Sequence, residues 1–387
     1  MDNGLGYTEL GHHQHMARHV IADARRFGCD THLFAMQAAR PEVLAEFGAR
    51  PVFSIPHYQP VGFDPLRAFA RVDRFLNDFA ATGVGVAPGD LILLPTASVI
   101  ELYAMVHWHR LSDIGLKFAF LFHSTVMPET REPLAGYLWA ATRHLLTGID
   151  PSRFWIGATT PELARQLVEK LARPIPVVPS VTWPPAPIPR TVSDTPQVGF
   201  LGGLRPAKGS LRIPRLVQTI HARFPDWQVV IQAPDTPALA QALGDLAGDP
   251  AVTIIDQPLD DDALNALMAG LDVLICPYDR GYYGQAASGL MTLAASLGVA
   301  CVVPSDTTLA TEMGGPARPL GRIYEGDSDD AIIEAVADLV ANRAALAEGS
   351  GEAAARWRAH ASGETFMRDL LTWAGVAVPA VTSAPAV

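Results

Sequence analysis

The chain has 387 residues, more than a single hydrophobic core usually serves, so its length predicts two domains. Hydrophobic residues make up 49% of the sequence and charged residues 18%, which excludes a generally disordered protein. The net charge is −11, and because nucleic-acid binding needs a basic surface, we expect no nucleic-acid partner. Three scattered cysteines are too few for a disulfide framework or a zinc site.

The sequence contains no recognisable signal peptide and no uninterrupted apolar segment long enough to span a bilayer. We therefore expect a soluble cytoplasmic protein that has at most peripheral contact with the inner face of a membrane. Residues 1–188 are nearly neutral, and the remainder carries almost all of the negative charge. An anion-binding site in the second half must therefore depend on a few locally placed donors.

Short apolar runs alternate with amphipathic helical patterns, which is typical of βαβ units around a parallel sheet. In the first half we predict strands at 31–35, 51–54, 91–94, 118–122, 154–157 and 175–178. The predicted helices of this half are 10–27, 41–47, 65–80, 99–108 and 161–171. The sequence opens directly with Asn3-Gly4-Leu5-Gly6, a loop of the kind that normally follows a first strand. Either the first strand is missing from this sequence or the sheet lacks it, and we expect the former, with a start site placed too late.

The proline-rich stretch 179–196 predicts a linker, after which the alternation begins again. The second half has predicted strands at 198–201, 228–232, 252–255, 273–276 and 300–304, and predicted helices at 210–224, 237–247, 261–269 and 289–297. Two such halves predict an α/β protein of two Rossmann-like domains that face each other across a ligand-binding cleft. The expected boundaries are 1–180 for the first domain, 181–196 for the linker, 197–352 for the second domain and 376–387 for a disordered tail.

The segment 202–209, with the sequence Gly-Gly-Leu-Arg-Pro-Ala-Lys-Gly, lies between a predicted strand and a predicted helix. In this position glycines let the backbone approach a phosphate closely. Arg205 and Lys208 are three residues apart, so both can contact one anion, and together they suit a diphosphate. An ordinary turn with a solvated basic pair is the alternative.

A second segment, 282–289, has the sequence Tyr-Tyr-Gly-Gln-Ala-Ala-Ser-Gly and precedes a predicted helix. Ser288 and Gly289 at a helix start offer backbone N–H groups and a hydroxyl, where the helix dipole favours an anion. Simple N-capping by Ser288 is the structural alternative, and the two roles are compatible.

The order of these features resembles that of GT-B retaining glycosyltransferases, particularly the family 4-like, group 1 enzymes. The resemblance rests on the turn with Lys208-Gly209, on Leu271-Asp272-Val273 before Pro277, and on the segment 282–289. It implies a GT-B fold and transfer, with retention, of a sugar from a UDP- or GDP-linked donor to a hydroxyl acceptor. We expect neither cofactor nor metal, since Arg205, Lys208 and backbone N–H groups can carry the diphosphate charge. Polysaccharide or glycoconjugate synthesis is the setting that the resemblance implies.

The resemblance extends, less specifically, to the first half and to the end of the chain. Residues 3–11 look like the glycine-rich first loop and 120–123 like the strand that ends in an active-site histidine. Residues 354–373 look like the closing helix, expected over 353–375, that returns to the first domain. The catalytic residues implied are His123, for which a structural role is the alternative, and Gln285. The donor-binding residues implied are Gly202, Gly203, Arg205, Lys208, Tyr283, Gly284, Ser288 and Gly289, and the acceptor-side residues are Gly4, Gly6, Glu9, His12 and His13.

The chain departs from the family at the donor site. Members commonly carry two glutamates eight positions apart, one near the donor sugar and one at the ribose, where this chain has Gln285 and Leu293. Because leucine cannot accept a hydrogen bond from ribose hydroxyls, donor recognition is altered or lost. Gly203 stands where a basic residue is common, with Arg205 as a compensating cation. Two alternatives therefore stay open: a catalytically silent binding or scaffold partner, and a GT-B nucleotide-sugar epimerase.

Two other clusters suggest metal sites but are assigned other roles. His12, His13 and His15 begin a helix, where adjacent side chains point in different directions, so we expect acceptor contacts or capping. The three aspartates at 260–262 open a predicted helix, where carboxylates cap free N–H groups and suit the dipole.

Arg67, Arg71 and Arg74 lie at near-helical spacing on one predicted helix. We expect a solvated face there. An anionic acceptor or a membrane surface is the alternative partner for these three guanidinium groups.

Overall fold

The computed structural model describes residues 1–5, 12–57, 65–82, 86–112, 114–124, 132–179, 193–202, 205–232 and 241–378, without the side chains of residues 12, 65, 66 and 132–135. The chain divides into two compact units, one formed by Met1–Val178 with Gly363–Val387 and the other by Pro179–Ser362. Each unit is built from parallel strands and helices, so the predicted α/β class is confirmed.

The first unit alternates strands and helices from its start. Its elements are α1 (His12–Arg26), β1 (Phe34–Met36), α2 (Pro41–Phe47), β2 (Arg50–Phe53), α3 (Pro65–Ala80), β3 (Leu91–Ala97), α4 (Val99–Ser112), β4 (Lys117–Phe122), α5 (Glu132–Leu146), β5 (Phe154–Ala158) and α6 (Pro161–Leu171). Strands β3, β4 and β5 pair in that order as one parallel sheet, and β1 pairs with β2. Where a strand over 175–178 was predicted, a single bridge joins Val177 to Ala158.

The core of the first unit is aromatic. Phe118, Phe120 and Phe122 on β4 are fully buried, and the ring of Phe118 stacks on that of Phe154 with 4.9 Å between centroids. All but the first residue of β4 is buried, as expected of a central strand that is covered on both faces. The continuous apolar sequence of this strand is thus explained by the burial of both faces of the sheet.

The first residues of the chain lie between β1 and β3. The Met1 amino group donates to the carbonyl of Leu93 at 2.7 Å, and the Asp2 amide donates to that of Phe34 at 2.9 Å. The amide of Met36, the last residue of β1, bonds to the carbonyl of Leu5 at 3.4 Å. Residues 3–5 therefore lie at the carboxyl end of β1.

The second unit contains one six-stranded parallel sheet. Its elements are β6 (Gln197–Leu201), α7 (Ile213–Arg223), β7 (Gln228–Gln232), β8 (Val252–Ile255), α8 (Asp261–Ala269), β9 (Val273–Ile275), α9 (Arg280–Tyr283), α10 (Gly289–Leu297), β10 (Ala300–Pro304), α11 (Thr308–Gly314), β11 (Gly321–Tyr324), α12 (Asp329–Ala341) and α13 (Arg343–His360). The strand order is β11-β10-β9-β6-β7-β8. The chain adds strands outward from β6 on one side and then from β9 on the other. The junction of β6 and β9 is therefore a topological switch point.

The C-terminal helical region differs from the prediction. Instead of one helix over 354–373, α13 ends at His360 and a separate helix α14 (Gly363–Trp373) follows. Lys117 donates through Nζ to the carbonyls of Trp373 and Ala374, at 3.2 and 2.9 Å, so α14 is tied to the first unit. The two residues between these helices lie at the division between the units.

Two other predictions need adjustment. The helix predicted over 210–224 begins as a 3-10 turn and becomes α-helical at Ile213, next to Pro214. The predicted helix 237–247 lies partly outside the described residues, and its end forms a 3-10 turn at Gly244–Gly248. Most of the predicted linker, and the tail beyond residue 378, also lie outside them, so those assignments stay predictions. Across the described part of the chain, none of the helices combines the length and apolar character needed to cross a membrane.

Gly298 ends α10 in the left-handed conformation, with φ 73°. A Cβ atom on this residue would lie 2.5 Å from the carbonyl oxygen of Ser350 on α13. Glycine therefore allows both the turn and the close packing of the two helices.

We predict that Gly298→Ala lowers the free energy of unfolding of the second unit by about 2 kcal/mol, because it combines left-handed backbone strain with a steric overlap. Gly351→Ala is the matched control: this glycine is exposed within α13 and has open space around it. The control should stabilise the helix by about 0.5–1 kcal/mol. Urea unfolding monitored by circular dichroism measures both, and equal effects would contradict the packing argument.

Candidate functional site

The glycine turn after β6 is fixed by the neighbouring strand. Gly202 adopts φ 88°, and its amide donates to Oε1 of Gln232 at 2.9 Å. Gln232 is the last residue of β7, is buried, and donates from Nε2 to the carbonyl of Gln257 at 3.4 Å. Its side chain thus connects the ends of β6 and β8. Gly203 lies outside the described residues, so its role stays a prediction.

The basic part of the turn rests on the end of β9. Pro206–Lys208 form one 3-10 turn that ends at Gly209, where φ is 71°. A Cβ atom on Gly209 would overlap the carbonyl oxygen of Pro277. The amide of Asp279 also donates to the carbonyl of Ala207 at 2.9 Å. These contacts hold the turn at the switch point between β6 and β9.

Lys208 reaches across this turn to the N-terminus of α10. A Cβ atom built on Gly202 would lie 2.5 Å from Lys208 Nζ and 2.6 Å from Cδ1 of Leu290 in the first turn of α10. The glycine turn, the lysine and the second predicted segment therefore meet at one point. A side chain at this position, which has a positive φ, would displace the ammonium group from the place it occupies.

Lys208 and Arg205 are the two cations of this turn. Lys208 is partly buried and Arg205 exposed, and within the part of the chain that the structure describes neither forms an ion pair. Burial, and then the charge of Arg205, lower the pKa of Lys208 to about 8. An uncompensated ammonium group beside a helix N-terminus is an arrangement that favours a bound anion.

The second predicted segment ends in a capped helix. Ser288 is buried, and its Oγ accepts from the amide of Met291 at 3.3 Å, which makes it the N-cap of α10. Gly289 is exposed at the first helical position. Ser288 therefore performs the structural role, and anion binding at the exposed start of the helix stays a prediction.

The loop before α10 is held by α11. Thr308 Oγ1 donates to the carbonyls of Tyr283 and Ala286, at 3.3 and 2.6 Å. Tyr283, followed by Gly284, is buried and stacks on Tyr278 with 4.4 Å between ring centroids. Gln285 remains partly exposed on this loop. The partly buried Leu293 packs against the apolar cluster beneath the loop, so its side chain serves packing.

The acceptor-side residues of the first unit lie around Asp2. Its Oδ1 accepts from the amides of Gly4 and Leu5, at 2.9 and 3.0 Å, and contacts His13 Nδ1 at 2.8 Å. The backbone of Gly4 packs directly on the His13 ring, where a Cβ atom would overlap. The structure thus brings Gly4 and His13 together. Gly6, Glu9 and the side chain of His12 lie outside the described residues.

A buried carboxylate that the sequence analysis missed lies beside them. Glu101 is fully buried on α4 and accepts from the Ser98 amide and from Asn3 Nδ2, both at 2.9 Å. Burial raises its pKa, but His57, Arg71 and Ser98 outweigh burial and hold the pKa well below its usual range. The pattern Ser98-x-x-Glu101 is a capping box, so this signal was present in the sequence.

The prediction of a solvated arginine face is wrong for Arg71. Its guanidinium is buried and donates to the carbonyls of Pro56 and His57, at 2.8 and 2.7 Å. Burial lowers its pKa, and Glu101 opposes that shift. Arg67 and Arg74 are exposed, as expected.

His123 follows β4, at the carboxyl edge of the sheet. Its Nε2 lies 3.0 Å from the carbonyl oxygen of Pro95. Burial lowers the pKa of His123 to about 4, although Pro95 opposes this shift, so the ring is neutral near pH 7. A carbonyl can only accept, so Nε2 carries the proton and Nδ1 is an acceptor. His123 belongs to the first unit and Gln285 to the second, and their shared catalytic role stays a prediction.

The acidic and histidine clusters were assigned to roles other than metal binding. Asp260 caps α8, with Oδ1 accepting from the Ala263 amide at 2.8 Å, which confirms the structural assignment of 260–262. Among the described residues, no three His, Cys, Asp or Glu side chains are placed to hold a metal ion together.

Comparison with known proteins finds no matching family model and no matching curated protein. Among solved structures, sucrose-phosphate synthase from Thermosynechococcus elongatus is similar over 96% of this chain and 96% of its own, with TM-score 0.66 and 15% identity. HepE of Anabaena, solved with UDP, covers 92% and 94%, with TM-score 0.63 and 13% identity. The chain has the GT-B fold. A putative UDP-N-acetylglucosamine 2-epimerase from Listeria monocytogenes shares the fold over 93% and 91%, with TM-score 0.53 and 17% identity.

The GT-B fold confirms the resemblance noted in the sequence at the level of architecture. Its two Rossmann-like halves correspond to the two units of parallel strands. Since identities are 13–17%, the comparisons establish how the chain folds, and the reaction has to be argued from the residues.

We predict that acidification from pH 7 to pH 5 lowers the free energy of unfolding, with about 2 kcal/mol of the loss due to His123. Its folded pKa of about 4 lies below the ordinary value of 6.5, so in this window the unfolded chain takes up a proton that the folded chain refuses. Urea unfolding at both pH values should show a smaller loss in His123→Gln. The same change at exposed His32 is the control and should leave the loss unchanged.

Proposed function

We propose that this protein is a glycosyltransferase that moves a sugar from a nucleoside-diphosphate donor to a hydroxyl acceptor. The carrying observation is the meeting of Gly202, Lys208 and the N-terminus of α10 at the switch point of the second unit. The GT-B fold supports the same conclusion, and the GT-B relative HepE was solved with UDP.

In this proposal the second unit binds the donor diphosphate. Lys208 and Arg205 neutralise its charge, and the exposed N–H groups at the start of α10 donate to its oxygens. As the bond between the sugar and the phosphate breaks, negative charge develops on the leaving nucleoside diphosphate. These fixed positive groups stabilise that charge without a divalent metal.

The acceptor binds the first unit, near Gly4, His13 and His123. A neutral His123 with its proton on Nε2 presents Nδ1 as an acceptor, which suits a hydrogen bond from a sugar hydroxyl. The proposed donor is a UDP- or GDP-linked sugar, and the sugar is transferred with retention of its anomeric configuration. The proposed setting is the synthesis of a polysaccharide or glycoconjugate in the cytoplasm. The anomeric configuration of the product, read by proton NMR, tests retention.

A catalytically silent binding protein is the second candidate. It is favoured by Leu293, which packs into the apolar cluster under α10, and by Gln285, which cannot act as a carboxylate. Two successive experiments distinguish the transferase from the silent protein. The first is calorimetric titration with UDP and GDP, and the second is a screen of donor sugars for hydrolysis or transfer. A silent protein transfers nothing under any donor, and failure of both nucleotides to bind contradicts the transferase proposal. An epimerase would instead convert the donor sugar without any acceptor.

We predict that the double variant Lys208→Ala with Arg205→Ala weakens nucleotide binding at least about 100-fold, because two charge-assisted contacts are removed. Isothermal titration calorimetry measures the affinity, and circular dichroism checks the fold. The control is Arg223→Ala, which removes a surface cation of the same unit that pairs with Glu334 at 2.7 Å. Unchanged affinity in the double variant would refute the site.

We predict that nucleotide affinity falls about tenfold between pH 7 and pH 9, because Lys208, with a pKa of about 8, loses its charge in this range. Binding near pH 8 should also take up a proton, since a bound anion favours the charged lysine. Calorimetry in buffers of different ionisation enthalpy measures this uptake. Lys208→Arg should bind with little dependence on pH, and an equal fall in that variant would contradict the role of Lys208.

A further inference from the structure

Glu101 divides its carboxylate between two tasks. Oε2 accepts from the amide of Ser98 at 2.9 Å and from the Ser98 hydroxyl, and so caps the helix that carries it. Oε1 accepts from Asn3 Nδ2 at 2.9 Å and lies 3.6 Å from Nδ1 of His57. Oε1 therefore contacts the side chains of residues that are 98 and 44 positions away in the sequence.

The two segments that Oε1 contacts are joined to each other as well. The amide of His57 donates to the carbonyl of Asn3 at 2.9 Å. The guanidinium of Arg71 also holds the segment that contains His57, because it donates to the carbonyls of Pro56 and His57. The residue after Asn3 is Gly4, which packs on the ring of His13. Glu101 thus holds the backbone that leads directly into the acceptor-side residues.

Capping of α4 does not by itself require that the Glu101 carboxylate be buried. A helix at the protein surface caps equally well with an exposed side chain, whereas Glu101 has no exposed surface and is surrounded by Asn3, Ser98, His57 and Arg71. Burying a charge is costly unless it is fully paired, so such groups usually fix a specific arrangement. Here the fixed arrangement is that of residues 3–5 and 54–57.

We propose that Glu101 is a positioning residue for the acceptor, which acts through Asn3 and His57 to hold residues 3–5 of the first loop in the geometry needed for transfer. The inference rests on the proposed function, since it assumes that the acceptor binds at this edge. Misplacement of a reacting group by about 1 Å can reduce turnover about 100-fold. Loss of Glu101 therefore acts on turnover and on the acceptor KM, and leaves nucleotide binding in the second unit unchanged.

Glu101→Gln is the main test, because an amide cannot accept at both ends. The variant removes the negative charge that faces His57 and Arg71, and its NH2 group donates where the carboxylate accepted, so the present contacts of Oε1 and Oε2 cannot both persist. We expect kcat to fall at least about tenfold and the acceptor KM to rise, with the nucleotide Kd within about twofold of the wild-type value.

Two single variants separate the tasks of the carboxylate. Asn3→Ala removes the contact of Oε1 and should reproduce the loss of kcat. Ser98→Ala removes only the hydroxyl at Oε2 and should lower the melting temperature while leaving kcat and KM within about twofold. A purely structural role for Glu101 predicts instead that both variants lose stability and keep full turnover per folded molecule, and that result would overturn the proposal.

Hydrogen exchange provides a readout that does not need activity. In folded Glu101→Gln the amides of residues 3–5, Ser54, Ile55 and His57 should exchange at least about tenfold faster than in the wild type. Unchanged exchange there overturns the inference. The control is Asp272→Asn, a buried carboxylate of the second unit that accepts from the Gln197 amide at 2.9 Å. It should leave exchange at the first loop and kcat unchanged.

The two readouts also separate failure of this inference from failure of the proposed function. If the wild-type protein transfers no sugar under any donor, the proposed function fails. The exchange measurement alone then decides whether Glu101 positions the first loop.

Discussion

Parallel strands place every loop that follows them at the same edge of a sheet, and both candidate sites depend on this constraint. In the second unit the strand order changes direction between β6 and β9, so the segments after these two strands become neighbours. Gly209 fits against the carbonyl of Pro277, and this close backbone contact sets the position of Lys208. A backbone contact between two loops thus places the charge, and the helix dipole of α10 adds to it.

The buried carboxylates of the first unit and Lys208 of the second unit differ in their partners. In the first unit Oδ1 of Asp2 contacts His13, and the carboxylate of Glu101 faces His57 and Arg71. In the second unit Lys208 has no acidic partner among the described residues. A compensated cluster holds backbone in place, whereas an uncompensated cation is available to a ligand. This difference is the reason why anion binding is proposed for the second unit.

Much of the fold follows from local sequence, because buried parallel strands are continuous apolar runs. β4, β7 and β10 lie at the predicted residues 118–122, 228–232 and 300–304, to within one residue. β11 was missed because two of its four residues, Arg322 and Ile323, are exposed, so it lacks the buried run that marks the others. The end of α13 was also missed. The residues between α13 and α14 are Ala361 and Ser362, and neither residue type stops a helix strongly.

The candidate site was predictable only in part. The glycine turn and the start of α10 are local patterns, and they were identified together with Lys208. The cluster joins Glu101 to Asn3 and His57, which lie 98 and 44 positions away, and no local spacing reveals that they meet there. Only the capping-box pattern at Ser98 pointed to this carboxylate, and it explains one of its two oxygens.

The position of α14 has a consequence for the order in which the chain folds during synthesis. This helix contributes the buried side chains of Phe366 and Leu370 to the first unit, and Phe366 lies against Trp155 with 5.9 Å between ring centroids. A ribosome releases residues 1–178 first, yet their unit lacks this helix until residues 363–373 emerge. The second unit, continuous in sequence, can complete its core earlier. The half of the protein that is made first is therefore the half that is finished last.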